Sequence, residues 1–312
     1  MDFDDHHVKD ISDAAGFAES SSGSVSESES IPRPIPVRKG SSYLDTPLNL
    51  NSKQYSLNGS QRGKVLIFNQ VEFIDHEKYE ERDGTKRDVE RLYSTLPRLG
   101  FRQEDIIVYE DYSASNIERV AEKLENDKDL IESDCLMVVI LTHGEEDDLL
   151  MAHDGSYHLY KFLDHFTPSA LNSMAGKPKI FIIQACRGGK LDRGVQLRRK
   201  LLVTDSVQDR VDSQSEIFTY PDFADFLIVM SSHHGHKSFR NEKGSWLIQE
   251  LCNVIESCDL KSSSIIDILI ETNNAVSKRI SNADGIHDKK KQISSFYTTF
   301  TKQLYFTPSG NR

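Results

Sequence analysis

A histidine and a cysteine are the residues of this chain best suited to covalent catalysis. His143 follows an apolar run, Val138 to Leu141, and Cys186 follows a second one, Ile180 to Ile183. A thiolate is a strong nucleophile, and an imidazole can protonate a departing amine. The pair is therefore sufficient for acyl transfer through a thioester, provided that the fold brings both residues to one place.

Gly144, directly after the histidine, can assist the same chemistry. Its backbone N–H has no side chain to obstruct it, and together with the N–H of Cys186 it can form an oxyanion hole. A cysteine considered alone is more often an inert core residue, because free cysteine is among the most buried residue types. The surrounding sequence has to decide between the two interpretations.

Buried strands alternating with amphipathic helices position these residues. Short apolar runs predict five strands, at Val65–Phe68, Ile106–Tyr109, Cys135–Leu141, Ile180–Ile183 and Phe226–Met230. Helical periodicity is predicted for Asp88–Leu99, for a helix opened by a capping box at Ser115–Glu118, for Ser245–Ile255 and for Ser264–Ile280. This alternation predicts an α/β fold with a mostly parallel, twisted sheet and helices on both faces, whose ligands bind at the carboxyl ends of the strands.

Length and composition exclude several classes of protein. The chain has 312 residues, which suits one large domain or two small ones, and no apolar run approaches the length needed to cross a bilayer. A net charge of −11 argues against nucleic-acid binding, which needs a basic face. Met1 to Asp5 is acidic and shows no signal peptide, so we expect a cytoplasmic protein without a membrane partner.

The four cysteines form no CxxC pair, so neither a disulfide framework nor a zinc site is expected. Cys252 and Cys258 lie on the apolar face of a predicted helix and are interpreted as packing residues. A metal site at His233, His234 and His236 lacks further ligands at suitable spacing. We therefore expect no metal and no cofactor.

Two polar regions divide the chain. Residues 1–60 include a Ser/Glu-rich stretch and a proline-punctuated one, which predicts a disordered leader. Residues 197–216 form a charged segment without periodicity between two core strands. A loop of this length inside a compact domain is usually functional or disordered.

The sequence around the cysteine resembles a known family. Gln184 to Gly188 reads QACRG and matches the caspase cysteine signature, and the histidine precedes the cysteine at the expected distance. Four further caspase-like motifs occur in the expected order, at Arg82–Thr85, His143–Glu146, Phe239–Asn241 with Gly244–Trp246, and Lys291–Ile293. The resemblance covers the chain from about residue 62 to Phe306.

The resemblance implies a caspase-like α/β/α sandwich with a six-stranded sheet and a cysteine endopeptidase that cleaves after aspartate. It also implies a zymogen whose large subunit region is 61–212 and whose small subunit region is 213–312. Because the leader is too short and too polar for a folded adaptor domain, we expect an executioner of apoptosis. The alternative is a catalytically impaired relative that binds and regulates other caspases, but both His143 and Cys186 are present.

An aspartate-binding pocket is implied at matching positions. Recognition of a carboxylate favours planar guanidinium donors, and Arg82 and Arg240 match the two arginines of the family pocket, with Gln184 as its amide. Asn241 is expected to contact the substrate residue four positions before the cut. The remaining implied substrate-binding residues are Ser238, Phe239 and Trp246, although Trp246 can equally be a core residue at a helix start.

Several positions depart from the family pattern. Thr142 stands where serine is usual, and Asp147-Asp148 stands where a glycine is expected. Lys237 replaces an aromatic residue and should make the second substrate subsite wetter and more cationic. Pro97 should kink or end the first helix early.

Three aspartates are predicted cleavage sites. Asp212 ends the sequence Asp-Arg-Val-Asp and precedes a small serine, which fits a pocket containing Asn241; Asp205 is the next choice. Removal of the leader is predicted after Asp45.

Assembly and partners follow from the carboxyl-terminal region and from the resemblance. Residues Ile293–Phe306 are rich in aromatic and β-branched types, which predicts a strand. The resemblance places it at a sheet edge that pairs with a second copy, with Tyr297 near the axis of a homodimer. Further implied partners are protein substrates with exposed aspartates, an upstream initiator caspase and inhibitor-of-apoptosis proteins.

Overall fold

The computed structural model describes residues 11–12, 52–193 and 221–306. Its strands are β1 (Ile11–Ser12), β2 (Val65–Asn69), β3 (Ile106–Glu110), β4 (Leu136–Leu141), β5 (Leu149–Met151), β6 (Ser156–His158), β7 (Lys179–Gln184), β8 (Phe226–Met230), β9 (Phe239–Asn241), β10 (Gly244–Ser245) and β11 (Ser295–Thr298). Its α-helices are α1 (Thr85–Thr95), α2 (Ala114–Lys123), α3 (Leu159–Leu163), α4 (Trp246–Ser257) and α5 (Ile265–Lys278).

The central sheet of the described residues has six strands in the order β11-β8-β7-β4-β2-β3. All neighbours are parallel except β11, which runs antiparallel to β8 at one edge. The mostly parallel, six-stranded α/β sheet expected from the sequence is therefore confirmed. Parallel strands need covered faces, and the helices provide that cover.

The two faces of the sheet carry separate hydrophobic cores. In β2, Val65 and Ile67 pack into the core that contains α1, α4 and α5, whereas Leu66 and Phe68 pack into the core that contains α2 and α3. Successive side chains of a strand point to opposite faces, so one continuous apolar run serves both cores. This explains why the strand sequences are apolar without alternation.

Helix boundaries differ from the sequence predictions in instructive ways. The first helix ends at Thr95 and continues as a 3₁₀ turn from Leu96 to Leu99, as Pro97 predicts. The prediction of a capping box at Ser115 is wrong. Ser113 is the N-cap of α2, and its hydroxyl accepts a hydrogen bond from the Asn116 N–H. A true capping box instead joins Ser264 and Asp267 at the start of α5.

The carboxyl-terminal strand and the leader also need correction. A strand over Ile293–Phe306 was too long, because only Ser295–Thr298 pair with β8. The leader prediction of 1–60 extends too far, since Tyr55 is buried and bonds the backbone of Gln303. The short hairpins β5–β6 and β9–β10 were not predicted.

Other predictions fall outside the part of the chain that the structure describes. These are the whole linker 197–216 with its sites Asp205 and Asp212, and the leader site Asp45. Within the described ranges, no helix is both long enough and apolar enough to cross a membrane.

Candidate active site

The site lies at the carboxyl ends of two neighbouring parallel strands. Leu141, the last residue of β4, pairs with Gln184, the last residue of β7, and the Thr142 N–H donates to the Gln184 carbonyl at 3.0 Å. His143 follows the first strand, and Cys186 follows the second. The structure thus brings both residues to one edge of the sheet.

Gly144 joins the two strand ends. A Cβ atom at this position would lie 2.2 Å from the Cys186 carbonyl oxygen, so only glycine allows the approach. The His143 carbonyl and the Glu145 N–H both bond the β5 segment, at 3.0 and 2.9 Å. Because backbone groups alternate in direction along an extended chain, the Gly144 N–H points away from β5. That orientation suits an oxyanion donor.

The Cys186 sulfur is in contact with Ser238. Cys186 is 1% exposed, and the Ser238 N–H donates to its Sγ at 3.1 Å. The Ser238 carbonyl and hydroxyl oxygens lie 3.7 and 3.6 Å from the same sulfur. The adjacent Ala185 is fixed through both its N–H and its carbonyl by the Ser231 hydroxyl.

The His143 ring is held by a loop that the sequence did not single out. Its Nε2 lies 2.8 Å from the Glu80 carbonyl oxygen, and its ring contacts those of Phe73 and Tyr79 at centroid distances of 5.0 and 5.9 Å. Since a carbonyl oxygen only accepts hydrogen bonds, Nε2 carries the proton in this arrangement. Proton exchange with a substrate then falls to Nδ1.

Glu145 ties the same loop to the end of β4. Its carboxylate accepts from the Tyr79 hydroxyl at 2.7 Å and lies 2.7 Å from the Lys78 ammonium. Burial tends to raise the pKa of Glu145, but the hydrogen bonds from Lys78 and Tyr79 outweigh it and lower the pKa. The negative charge of Glu145 therefore holds the loop whose Glu80 carbonyl orients His143.

Two buried arginines lie near these residues, one directly after the loop that contacts His143 and one on β9. Arg82 is 0% exposed and Arg240 is 1% exposed, which is rare for arginine. Arg82 donates to the Gln70 carbonyl at 3.2 Å and to the Thr85 hydroxyl at 2.9 Å. These two oxygens help to orient the guanidinium group.

Backbone contacts connect the two arginines across the fold. The Arg240 guanidinium donates to the Asp83 carbonyl at 3.0 Å and to the Glu81 carbonyl at 3.3 Å, on either side of Arg82. Gly84, at φ +82°, lies so close to β9 that a Cβ would meet the Asn241 carbonyl oxygen at 2.1 Å. The glycine is required for this approach.

Gln184 and Ser238 lie close to the thiol. Gln184 is fully buried, and its amide nitrogen lies 3.3 Å from the Ser238 hydroxyl. Ser238 is buried too and contacts the Cys186 sulfur. The predicted pocket residues thus lie on the same side of the site as the thiol.

Phe239 and Trp246 are placed differently from the expectation. Both are buried, at 0% and 1% exposure, and their rings contact each other at 5.2 Å. Trp246 is the first residue of α4, and the Arg279 guanidinium lies 5.7 Å from its ring centroid. Neither side chain lines an open subsite, and Trp246 has the surroundings of a helix-start core residue. Asn241, at the end of β9, is partly exposed.

Lys237 precedes this strand and is partly buried. Burial lowers its pKa, although the nearby Cys186 acts in the opposite direction. A lysine at this position brings an amine close to the thiol.

An ion pair behind the cysteine was not predicted. The Arg187 guanidinium binds the Asp148 carboxylate in bidentate geometry, at 2.6 and 2.9 Å, and both side chains are largely buried. Asp147 and Asp148 adopt positive φ values of 57° and 56°. Aspartate tolerates this conformation better than most residues, which explains why it can replace glycine here. These two aspartates depart from the family pattern, and this departure was the signal in the sequence that could have drawn attention to the ion pair.

Comparisons with known proteins agree with this geometry. The family model described as the caspase domain matches residues 62–305. Caspase-6 from Gallus gallus is 35% identical over 274 residues, covering 82% of this chain and 84% of that protein. Caspase-1 from Drosophila melanogaster is 32% identical over 285 residues, covering 89% of this chain and 84% of that protein.

A solved structure is similar as well. The crystal structure of caspase-1 from Spodoptera frugiperda superposes with a TM-score of 0.75 at 30% identity, covering 86% of this chain and 98% of that one. The fold and the site define a cysteine-type peptidase. The chain belongs to the caspase family.

Proposed function

We propose that the protein is an executioner caspase that hydrolyses the peptide bond after aspartate, with Cys186 as nucleophile and His143 as acid and base. The observation that carries the proposal is the pair of buried guanidinium groups beside a thiol at one sheet edge. A pocket of fixed positive charge in an acidic protein selects a negatively charged side chain.

The geometry supports a two-step reaction. The Cys186 thiolate attacks the carbonyl carbon after the aspartate, and the N–H groups of Gly144 and Cys186 stabilise the developing oxyanion. His143 Nδ1 protonates the departing amine, while the Glu80 carbonyl holds Nε2. Water then hydrolyses the thioester with His143 as base.

Arg82 and Arg240 bind the aspartate carboxylate. Backbone carbonyls already orient both side chains, so little conformational entropy is lost when the substrate binds. Gln184 adds an amide donor. Lys237 gives the second subsite a polar, cationic wall, and Asn241 contacts the residue four positions before the cut.

Biologically, we propose a cytoplasmic zymogen of apoptosis. Upstream initiator caspases cut it within the linker after Asp212, with Asp205 as the alternative site, and the leader is removed after Asp45. Exposed aspartates of other proteins are the substrates, and inhibitor-of-apoptosis proteins are candidate regulators.

The decisive experiment for this function is turnover of tetrapeptides that end in aspartate by purified Cys186→Ala, Cys186→Ser and wild-type chains. We expect hydrolysis by the wild type and loss of at least a thousandfold in both variants, with unchanged melting temperatures. Matched peptides ending in asparagine should be cleaved at least a hundredfold more slowly. A wild-type chain that binds but does not cleave would instead favour the catalytically impaired, regulatory alternative.

Maturation provides a prediction about the linker. Asp212→Ala should prevent production of a small subunit that begins at Ser213. The amino-terminal sequence of the small subunit, determined after incubation with an active initiator caspase, is the measurement. A start other than Ser213 or Ser206 in the wild type would contradict the assignment.

The edge strand β11 supports a homodimer. It lies at the end of the sheet, and Tyr297 is 62% exposed. An exposed apolar edge favours pairing with another strand, which a second copy can supply across a two-fold axis. Tyr297→Glu should shift the processed enzyme towards monomer in sedimentation velocity, whereas Tyr160→Glu, at another exposed tyrosine, should not. A wild-type enzyme that is fully active as a monomer at micromolar concentration would rule the dimer out.

A further inference from the structure

The segment that joins β2 to α1, residues 70–84, touches both halves of the proposed site. Arg82 lies near its end, and the Arg82 backbone N–H donates to the Val71 carbonyl at 3.0 Å. Phe73, near its start, contacts the His143 ring at a centroid distance of 5.0 Å. Any group that fixes the start of this segment therefore acts on the proposed substrate-binding arginine and on the proposed acid and base.

Asp111 holds the start of the segment from the end of the neighbouring strand. It directly follows β3, and its Oδ1 atom accepts from the Val71 N–H at 2.6 Å and from the Glu72 N–H at 3.0 Å. Its own N–H donates to the carbonyl of Asn69, the last residue of β2, at 3.0 Å. Hydrogen bonds from backbone N–H groups to a carboxylate are among the stronger ones in proteins. One side chain thus fastens the segment at the ends of two neighbouring parallel strands.

The backbone conformation of Asp111 is a second, independent sign of a special role. Its φ is 51°, in the left-handed region that residues with a Cβ atom rarely occupy. Backbone strain of this kind persists only where surrounding contacts maintain it, and it concentrates at functional sites. The hydrogen bonds of the carboxylate supply such contacts. Aspartate and asparagine tolerate this region better than most residues, which guides the choice of variants.

His153 holds both chain neighbours of Phe73. It lies in the turn between β5 and β6, and its Nδ1 is 2.8 Å from the Glu72 carbonyl oxygen. Since a carbonyl oxygen only accepts hydrogen bonds, Nδ1 is the donor. The His153 carbonyl in turn accepts from the Ile74 N–H at 2.9 Å. The ring that packs on the proposed acid and base is therefore flanked by two hydrogen bonds to one histidine.

We propose that Asp111 and His153 are positioning residues for the proposed reaction, because they fix the start of the segment and thereby the placement of Arg82 and His143. The proposal rests on the proposed function and deepens it. Phe73 transmits the effect to His143 by packing against its ring. Displacement of a reacting group by about 1 Å can lower a rate about a hundredfold, so support at this distance affects turnover.

The two residues should affect the kinetics differently. Asp111 fixes Val71, whose carbonyl accepts from the Arg82 N–H, as well as the residue before Phe73. Its loss should therefore weaken substrate binding and also slow turnover. The contacts of His153 with the segment lie on either side of Phe73. Loss of its side chain should mainly slow turnover, since the contact with Arg82 is kept.

The first test compares steady-state kinetics of Asp111 variants on an aspartate-ending tetrapeptide. Rates are divided by the concentration of active sites, titrated with an irreversible aspartate-ending inhibitor, so that unfolded protein does not contribute. Asp111→Gly removes the carboxylate and suits the left-handed backbone. It should raise KM at least fivefold and lower kcat at least tenfold. Asp111→Asn keeps an acceptor oxygen and should stay within fivefold of the wild-type kcat/KM.

Asp259 offers a matched control. It is exposed, and its carboxylate likewise accepts from a backbone N–H, that of Lys261 at 3.1 Å, in the connection between α4 and α5. Asp259→Gly should change neither kcat nor KM. A loss of activity in this control equal to that in Asp111→Gly would overturn the specific role of Asp111.

The second test concerns His153. His153→Ala should lower kcat about tenfold and leave KM within twofold of the wild type, because only the support of Phe73 is removed. His153→Asn, whose amide nitrogen can donate from the place of Nδ1, should stay within threefold of the wild-type kcat. If Asp111→Gly does not fold, the split between kcat and KM in His153→Ala decides the proposal.

Separate outcomes overturn this proposal and the proposed function. Unchanged kcat and KM per active site in Asp111→Gly and His153→Ala would overturn the positioning role, even with lowered melting temperatures. An Asp111→Asn enzyme as impaired as Asp111→Gly would overturn the role of the Oδ1 hydrogen bonds. A wild-type chain that does not hydrolyse the peptide would overturn the proposed function and this proposal with it.

Discussion

Buried cations occur at both ends of the central sheet, and their surroundings differ. At the carboxyl ends, the contacts of Arg82 and Arg240 include oxygens of the backbone and of a threonine. At the amino end of β7, Lys179 is 0% exposed, its ammonium donates to two backbone carbonyls, and the Phe226 ring lies 4.9 Å away. The two arginines lie at the end where the substrate pocket is proposed, whereas the lysine lies at the opposite end.

At the amino end of the sheet, an internal carboxylate acts on the buried ammonium. Asp225, just before β8, accepts from the Tyr55 hydroxyl at 2.5 Å and from the Thr301 hydroxyl at 2.8 Å, and its charge acts on Lys179. This cluster joins the amino-terminal and carboxyl-terminal segments of the described chain. Asp225 therefore offsets part of the cost of burying the Lys179 ammonium.

The largest effect is expected from a substitution in the arginine pair at the carboxyl ends of the strands. Arg240→Met should lower kcat/KM for an aspartate-ending peptide about a thousandfold, because charged hydrogen bonds contribute roughly 1.5–3 kcal/mol each. Arg240→Lys should recover little, since lysine cannot reproduce the bidentate geometry. Steady-state kinetics with Arg119→Met as a surface control measures this. A loss below tenfold would show that Arg240 does not recognise the substrate.

A smaller effect on activity is expected from a substitution in the ion pair next to Cys186. Asp148→Asn should lower kcat/KM roughly tenfold, because it weakens a buried bidentate pair with Arg187 next to the nucleophile. A double-mutant cycle with Arg187→Gln gives the coupling energy, which we expect to be at least about 1 kcal/mol. Additive effects of the two substitutions would show that the ion pair does not position Cys186.

A substitution of Lys179, at the amino end of β7, should have the smallest effect on activity. It should also change the pH dependence of stability. Burial lowers the pKa of Lys179 from 10.5 to about 8, because the charged form is poorly solvated. Between these values the unfolded chain binds more protons than the folded chain, so this group makes the free energy of unfolding increase as the pH rises. Tyr55, whose pKa is raised by burial, opposes this trend above about pH 10.

Lys179→Met should therefore keep kcat/KM within twofold and reduce the rise in unfolding free energy between pH 8 and 10. Urea unfolding of both chains across this range is the measurement, with Lys161→Met as an exposed control. An unchanged pH dependence in Lys179→Met would show that the ammonium is not destabilised by burial.

Strands and the site motifs were the predictable part of the molecule. Phe226–Met230 was predicted with its observed bounds, because a short, fully apolar run has no alternative to a buried strand in such a sheet. The helix start at Ser113 was missed, since Ser113 and Ser115 both suit an N-cap and local sequence does not distinguish them. Phe239 was assigned to a subsite from its motif, but its packing on Trp246 depends on α4.

The sequence by itself determined the family of the chain, because the motifs that contain His143, Cys186 and the two arginines are matched by residue type and order and do not depend on knowledge of the fold. Tertiary structure alone decided how these groups are held. The Glu80 carbonyl on His143, the Glu81 and Asp83 carbonyls on Arg240, and the pairing of β1 with β9 all use backbone atoms. Every residue type carries those atoms, so only the path of the chain determines which of them meet.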